Sequence, residues 1–106
     1  MSIRDFQNLI RDLYYERDSK RGIDKTMLWI VEEVGELAEA VRKNDKKAIG
    51  EEMADVFAWL VSLANLFNID LEEEVKKKYP GYCVKCGKKP CECEDDSSLN
   101  QFSSRE

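Results

Sequence analysis

The chain has 106 residues, 42% of them hydrophobic and 37% charged, a composition that suits one small domain with a modest core, of a size often stabilised by oligomerisation. Its net charge is −5, but residues 94–106 hold four acids against Arg105; the rest is near neutral, carries no basic stripe for nucleic acid, and would reach a small anionic substrate only through metal ions. Histidine is absent, which excludes imidazole acid–base catalysis, His-activated nucleophiles and His-ligated metals and leaves carboxylates, lysines, tyrosines, cysteines or metal ions to do any chemistry.

With five glycines and two prolines, the first eighty residues have almost no turn punctuation, and an all-α fold of about four helices is expected. Residues 2–19 are predicted as a first helix, capped by Ser2 with Asp5 three residues on, and with Ile3, Phe6, Leu9, Ile10, Leu13 and Tyr14 at helical spacing. This opening segment is amphipathic and acid-containing, unlike a secretion signal, and no apolar run reaches membrane-spanning length. A cytoplasmic protein without a membrane partner is therefore expected. Gly22 is the predicted stop and Asp24 the next N-cap. A second helix then runs to about Lys43 on a stripe of Met27, Ile30, Val31, Val34, Leu37, Ala38 and Val41.

After the short break "KNDK" a third helix is predicted to about Phe67, with Ile49, Met53, Val56, Phe57, Leu60, Val61, Ala64 and Phe67 as its stripe. So short a link implies an antiparallel hairpin of helices two and three. A brief fourth helix, capped by Asp70 with Glu73 completing the box, ends before Pro80 with three lysines at its C-terminal dipole. The expected organisation is a helical body over residues 1–80, a cysteine-rich extension over 81–93 and a disordered tail over 94–106.

At about 100° per residue from Ile30, the residues Val34, Leu37 and Val41 fall within about 40° and mark the expected core direction. Glu33 then lies near 300° and Glu36 near 240°, on one flank, while Glu32 and Glu39 face away. On the third helix Glu52 and Asp55 form a second i, i+3 pair on one flank of Met53. Antiparallel pairing about the 44–45 turn sets residue n opposite roughly 88 − n, which brings Glu33 and Glu36 level with Asp55 and Glu52. Four converging carboxylates with no matching Lys or Arg would repel one another, and divalent cations are the economical solution. Hard oxygen donors suit Mg²⁺ or Mn²⁺. The competing reading is a solvated acidic face with ordinary salt bridges.

The segments "EEVGE" (Glu32, Glu33, Glu36) and, fifteen residues on, "EMAD" (Glu52, Asp55) resemble the EExxE and ExxD halves of the MazG-type nucleotide pyrophosphohydrolase motif. The resemblance extends over about residues 25–80. It implies an all-α protein completed by oligomerisation, as a homodimer or homotetramer. It also implies Mg²⁺-dependent hydrolysis of nucleoside triphosphates, standard or otherwise, to monophosphate and pyrophosphate. Carried over residue by residue, Glu33, Glu36, Glu52 and Asp55 become metal ligands and Glu32 a catalytic group that orients water. The alternative from another class is a non-catalytic helical dimer that binds nucleotide or a protein.

Trp29 and Trp59 share the flanks of the acids, and their numbers sum to 88, so both are placed at one level as a candidate base-binding wall. Core or dimer packing is the competing reading. Arg42, Lys43, Lys46 and Lys47 at the hairpin tip, and Lys76, Lys77 and Lys78, are expected to be solvated helix-end charges. Cys83, Cys86, Cys91 and Cys93 give C-x2-C-x4-C-x-C with Gly87 after the second thiol. In a reducing compartment that spacing suits a structural Zn²⁺, although the C-x-C half is tight for one ion in one chain. A metal shared between subunits, disulfides or a metal-free segment are the alternatives.

Overall fold

The computed structural model describes residues 1–94 and contains four helices: α1 (Ile3–Arg21), α2 (Ile23–Arg42), α3 (Lys46–Leu66) and α4 (Leu71–Lys78). Among the described residues there is no strand, so the all-α class holds. The chain divides into one compact unit, Met1–Leu71, and a second from Glu72 onward. The expected tail lies outside the described residues from position 95.

Ser2 caps α1 in the expected box: its hydroxyl accepts from Asp5 N–H at 2.9 Å, and the Asp5 carboxylate accepts from Ser2 N–H at 3.1 Å. The Ser2 N–H and hydroxyl hold the Asp5 carboxyl below its ordinary range. α1 ends at Gly22, as the sequence implies, but the same residue also opens α2, and Asp24 lies inside the first turn rather than at the cap. Gly22 has φ 89° and ψ 167°, a region only glycine occupies without strain. The corner is clamped by Arg21, which donates to Asp18 at 2.8 Å and to the Thr26 hydroxyl at 3.3 Å. Thr26 in turn donates to Gly22 C=O at 2.8 Å. Asp45 caps α3 by accepting from Ala48 N–H at 3.2 Å.

α3 packs against both α2 and α1, most extensively against α2, with which it forms the expected hairpin. The buried line of α2 is Thr26, Ile30, Ala40 and, half-buried between them, Glu33 and Leu37. This corrects the expected core direction. Met27, Val31, Val34 and Val41 are exposed in the single chain, and averaging them into the stripe pulls its axis about 40° away from Glu33. Glu33 therefore stands on the packed face itself. On α3 the buried residues are Val61, Ser62, Ala64 and Asn65, while Met53, Phe57, Leu60 and Phe67 are exposed.

The centre of the unit is unexpectedly polar. The Gln7 amide donates to Asn65 Oδ1 at 3.1 Å and to Ile69 C=O at 2.7 Å, and its oxygen accepts from Leu71 N–H at 3.0 Å. Asn65 returns a bond to Gln7 C=O at 3.2 Å. This network ties the start of α1 to the end of α3. An unsatisfied buried polar group costs about 1–3 kcal/mol, so Asn65→Leu should lower stability by roughly 2–4 kcal/mol in urea unfolding. An unchanged midpoint would show that the network contributes nothing.

Candidate active site

The acidic residues sit where the α2–α3 hairpin brings two helical turns side by side. One carboxylate oxygen from each of Glu33, Glu36 and Glu52 falls within 4.8 Å of the others. Glu33 and Glu52 are half-buried and Glu36 is exposed. In both half-buried residues one oxygen, Oε2, is fully enclosed and has no hydrogen-bond partner. Asp55, one turn beyond Glu52, is exposed yet close enough to add to the negative field at Glu33.

The electrostatic consequence concentrates on Glu33. Burial pushes its carboxyl up from 4.5 to about 7, with further contributions from the Glu36 charge, a side-chain hydrogen bond with Glu52, and the charges of Glu52 and Asp55. Two enclosed carboxylate oxygens facing like charge are costly to keep in a fold. The donor set is all hard oxygen, it is multiply anionic, and one oxygen of each half-buried member lacks a hydrogen-bond partner. A hard divalent cation such as Mg²⁺ or Mn²⁺ fits each of these properties.

Glu32 lies outside this group and is exposed, as is Glu39, which pairs with Arg42 and Lys43. The Arg42 side chain holds the Glu39 carboxyl below its ordinary value. Of the tip cations, Arg42 and Lys43 are thus engaged in helix-end pairs with Glu39.

Trp29 and Trp59 meet at the level given by the hairpin register, but they stack on each other, with centroids 6.0 Å apart and planes 15° apart. The Arg21 guanidinium lies over the Trp59 ring, 4.6 Å from its centroid. Trp59 is therefore engaged twice within the chain, and Trp29, 43% exposed, is the more available ring.

Residues of α1 to which the sequence assigns no site role complete the surroundings. Tyr14, Arg17, Asp18 and Arg21 line a cavity of about 310 Å³ together with Asp55 and Trp59. Asp18 is 2% exposed, and its Oδ2 has no partner. The segment "ERDSKR" is wholly polar and gives no sign that Asp18 is buried. Nothing in the sequence fixes the register of α1 against α3.

In the second unit the four cysteines converge without a disulfide between them, with all four Sγ atoms within 4.8 Å of one another. The N–H groups of Cys86 and Lys85 pull the Cys83 thiol down to about 6, and hydrogen bonding with Cys91 pushes Cys93 up to about 12.

The profile of the MazG nucleotide pyrophosphohydrolase domain matches residues 21–83, which contain all five motif acids and both tryptophans. No curated protein matches the chain. The family match covers more than half of the sequence and includes the helical hairpin on which the paired carboxylates converge; the chain belongs to the MazG nucleotide pyrophosphohydrolase family.

Proposed function

We propose that this protein hydrolyses nucleoside triphosphates to the monophosphate and pyrophosphate in a reaction that requires Mg²⁺. The observation that carries the reading is the pair of enclosed, unpartnered oxygens on Glu33 and Glu52 beside Glu36. Glu33, Glu36, Glu52 and Asp55 would hold the metal, which when bound would neutralise phosphate charge and supply a water of lowered pKa. In the reaction we assign, a water oxygen bonds to the α-phosphorus as the bond to the α,β-bridging oxygen breaks, the water gives up its proton to solvent, and pyrophosphate leaves. No covalent intermediate on the protein is needed.

The chain's own groups divide the remaining work. Glu33 and Glu52 are half-buried on the packed helices α2 and α3, and their positions are set before substrate arrives. Glu32, exposed and adjacent to Glu33, is assigned the orientation of the attacking water. Glu32→Gln should lower kcat by about 10–100-fold with little change in KM, an effect of the size seen for groups supporting a metal site. A variant with normal kcat would remove Glu32 from the reaction. Arg17 and Arg21, which share a cavity with Asp55, are placed to meet phosphate oxygens.

We assign base stacking chiefly to Trp29. Stacking on an aromatic ring is worth roughly 1–3 kcal/mol, so Trp29→Ala should raise KM by about one to two orders of magnitude while leaving kcat near normal. In a Trp59→Phe background, nucleotide should also shift the emission of Trp29. An unchanged KM together with unchanged emission would return the tryptophans to a packing role.

The exposed apolar side chains of the hairpin, Met27, Val31, Val34, Met53, Phe57 and Leu60, favour a homo-oligomer, with a second copy covering this face. Light scattering of the eluting protein tests it, and a monomer at micromolar concentration would oppose it. The whole reading is tested by following pyrophosphate release from a panel of nucleotides with Mg²⁺, which also identifies the preferred base and sugar.

A further inference from the structure

The second unit poses a folding problem. Among its described residues none is buried, and Tyr79, Tyr82 and Val84 are all exposed. A segment with no apolar core has little to offset the entropy of ordering its backbone. Yet residues 83–93 form a defined loop. Gly87 N–H donates to Cys83 C=O at 2.6 Å, Cys83 N–H donates to Lys88 C=O at 2.9 Å, and Gly87 takes φ 76° to complete the turn.

What that loop organises is sulfur. Cys83 Sγ lies 3.7 Å from Cys93 Sγ, and Cys86 Sγ lies 4.0 Å from Cys91 Sγ. These separations are nearly twice a disulfide bond of about 2.05 Å. They match the edges of about 3.8 Å expected for a tetrahedron of thiolates bonded to zinc at about 2.3 Å. An iron–sulfur cluster distributes its cysteines over several irons, which would separate some of them beyond the 4.8 Å that contains all four here. Backbone N–H groups also point at the sulfurs: Glu92 N–H to Cys86 and Cys93 N–H to Cys91, both at 3.3 Å. Such bonds stabilise sulfur as thiolate. The tight C-x-C half is accommodated within one chain because Cys91 and Cys93 each face a different partner thiol across the loop.

We propose that Cys83, Cys86, Cys91 and Cys93 bind one Zn²⁺ per chain through four thiolates, and that this ion, in place of an apolar core, holds the 83–93 loop in its fold. The site is independent of the carboxylate site. Three of its four ligands lie beyond the family match, which ends at residue 83. A closed four-thiolate shell has no position for water, so the ion is structural. Lys85, Lys88 and Lys89 within the loop offset the net negative charge of the loaded site. Hard oxygen ligands prefer Mg²⁺ and soft thiolates prefer Zn²⁺, so the two sites of one chain sort their metals by chemistry.

The test uses the full chain, purified under reducing conditions without chelator and analysed by elemental mass spectrometry. About one zinc per chain is expected, unchanged in Glu36→Gln and reduced at least tenfold in Cys86→Ser and in Cys91→Ser. Helical circular dichroism is the control that the first unit remains folded in these variants. Independently of any substitution, Co²⁺ added to stripped wild-type protein should give the visible bands of tetrahedral tetrathiolate cobalt, and zinc should displace them. Stripping should also open Lys85 and Lys88 to trypsin, with protection restored by zinc. Absence of zinc with no cobalt spectrum, iron in place of zinc, half an equivalent per chain, or full zinc in Cys86→Ser would each overturn the proposal.

Discussion

Glu52→Gln should abolish nucleotide hydrolysis and, in the absence of metal, make the protein more stable. Both effects have the same origin. Glu52 contributes an enclosed oxygen without a partner and faces Glu33 and Glu36 across the hairpin, so the wild-type fold carries like-charge repulsion that a proton or a cation relieves. An amide of the same shape removes a charge from the cluster and with it a hard donor for the metal. Each factor of ten in rate corresponds to about 1.4 kcal/mol of barrier, and loss of a metal ligand should remove several kcal/mol, hence about a thousandfold or more in kcat/KM. The thermal midpoint in chelator should rise. Glu36→Gln and Asp55→Ala should show the same loss of activity with a smaller gain in stability, because both residues are more exposed. A Glu52→Gln protein that kept normal turnover would remove this residue from the site. One that lost activity and also unfolded would show the acid to be a packing element instead.

The second large effect is a dependence of metal binding on pH. Glu33 is raised to about 7 from 4.5, chiefly by burial and then by Glu36. Between those two values the metal-free folded chain holds a proton that the unfolded chain has released. The contribution of Glu33 to stability is therefore fully present below pH 4.5 and is lost as pH rises through about 7. Metal must displace that proton. The Mg²⁺ concentration at half-effect should thus fall by up to about tenfold per pH unit as pH rises toward 7, then level off. Thermal shifts measured across Mg²⁺ titrations at pH 6, 7 and 8 report this directly. Glu33→Gln should flatten the dependence and raise the midpoint throughout. Equal Mg²⁺ midpoints at pH 6 and 8 in the wild type would show that Glu33 is not a ligand whose proton the metal replaces.

The sequence carried the fold class and the hairpin because their signals are local. Ser2 and Asp5 close a box within one turn, Gly22 supplies a φ that other residues avoid, and the short break before α3 forces α2 and α3 to run antiparallel. That last constraint fixes a register. The register in turn sets Glu33 and Glu36 level with Asp55 and Glu52, and Trp29 level with Trp59; in the structure Glu33, Glu36 and Glu52 gather within 4.8 Å while Asp55 lies outside that group. What the sequence misdirected was the facing of α2. Its apolar residues cover two adjacent strips, one packed against the chain's own helices and one exposed, and hydropathy alone cannot separate them. Glu33 consequently read as flanking the core when it stands on the packed face.

The contribution of α1 was not legible at all. No short link ties α1 to α3, so no arithmetic sets Arg17, Asp18 and Arg21 beside Asp55 and Trp59. The Gln7–Asn65 network was hidden for a related reason: two amides far apart in sequence look like surface residues until tertiary packing closes over them. The cysteines were the opposite case. Their spacing named a soft-metal chemistry, and only the coordinates placed all four sulfurs within one ion's reach.

The position of the cut bond distinguishes pyrophosphate release from every other hydrolysis of a triphosphate. The most direct measurement is hydrolysis of the preferred nucleoside triphosphate with Mg²⁺ in ¹⁸O-labelled water, with both products analysed by mass spectrometry. Attack at the α-phosphorus predicts one labelled oxygen in the nucleoside monophosphate and none in the pyrophosphate, with no turnover in the Glu52→Gln protein. Label in pyrophosphate, release of diphosphate and orthophosphate, or no hydrolysis of any nucleotide would contradict the account.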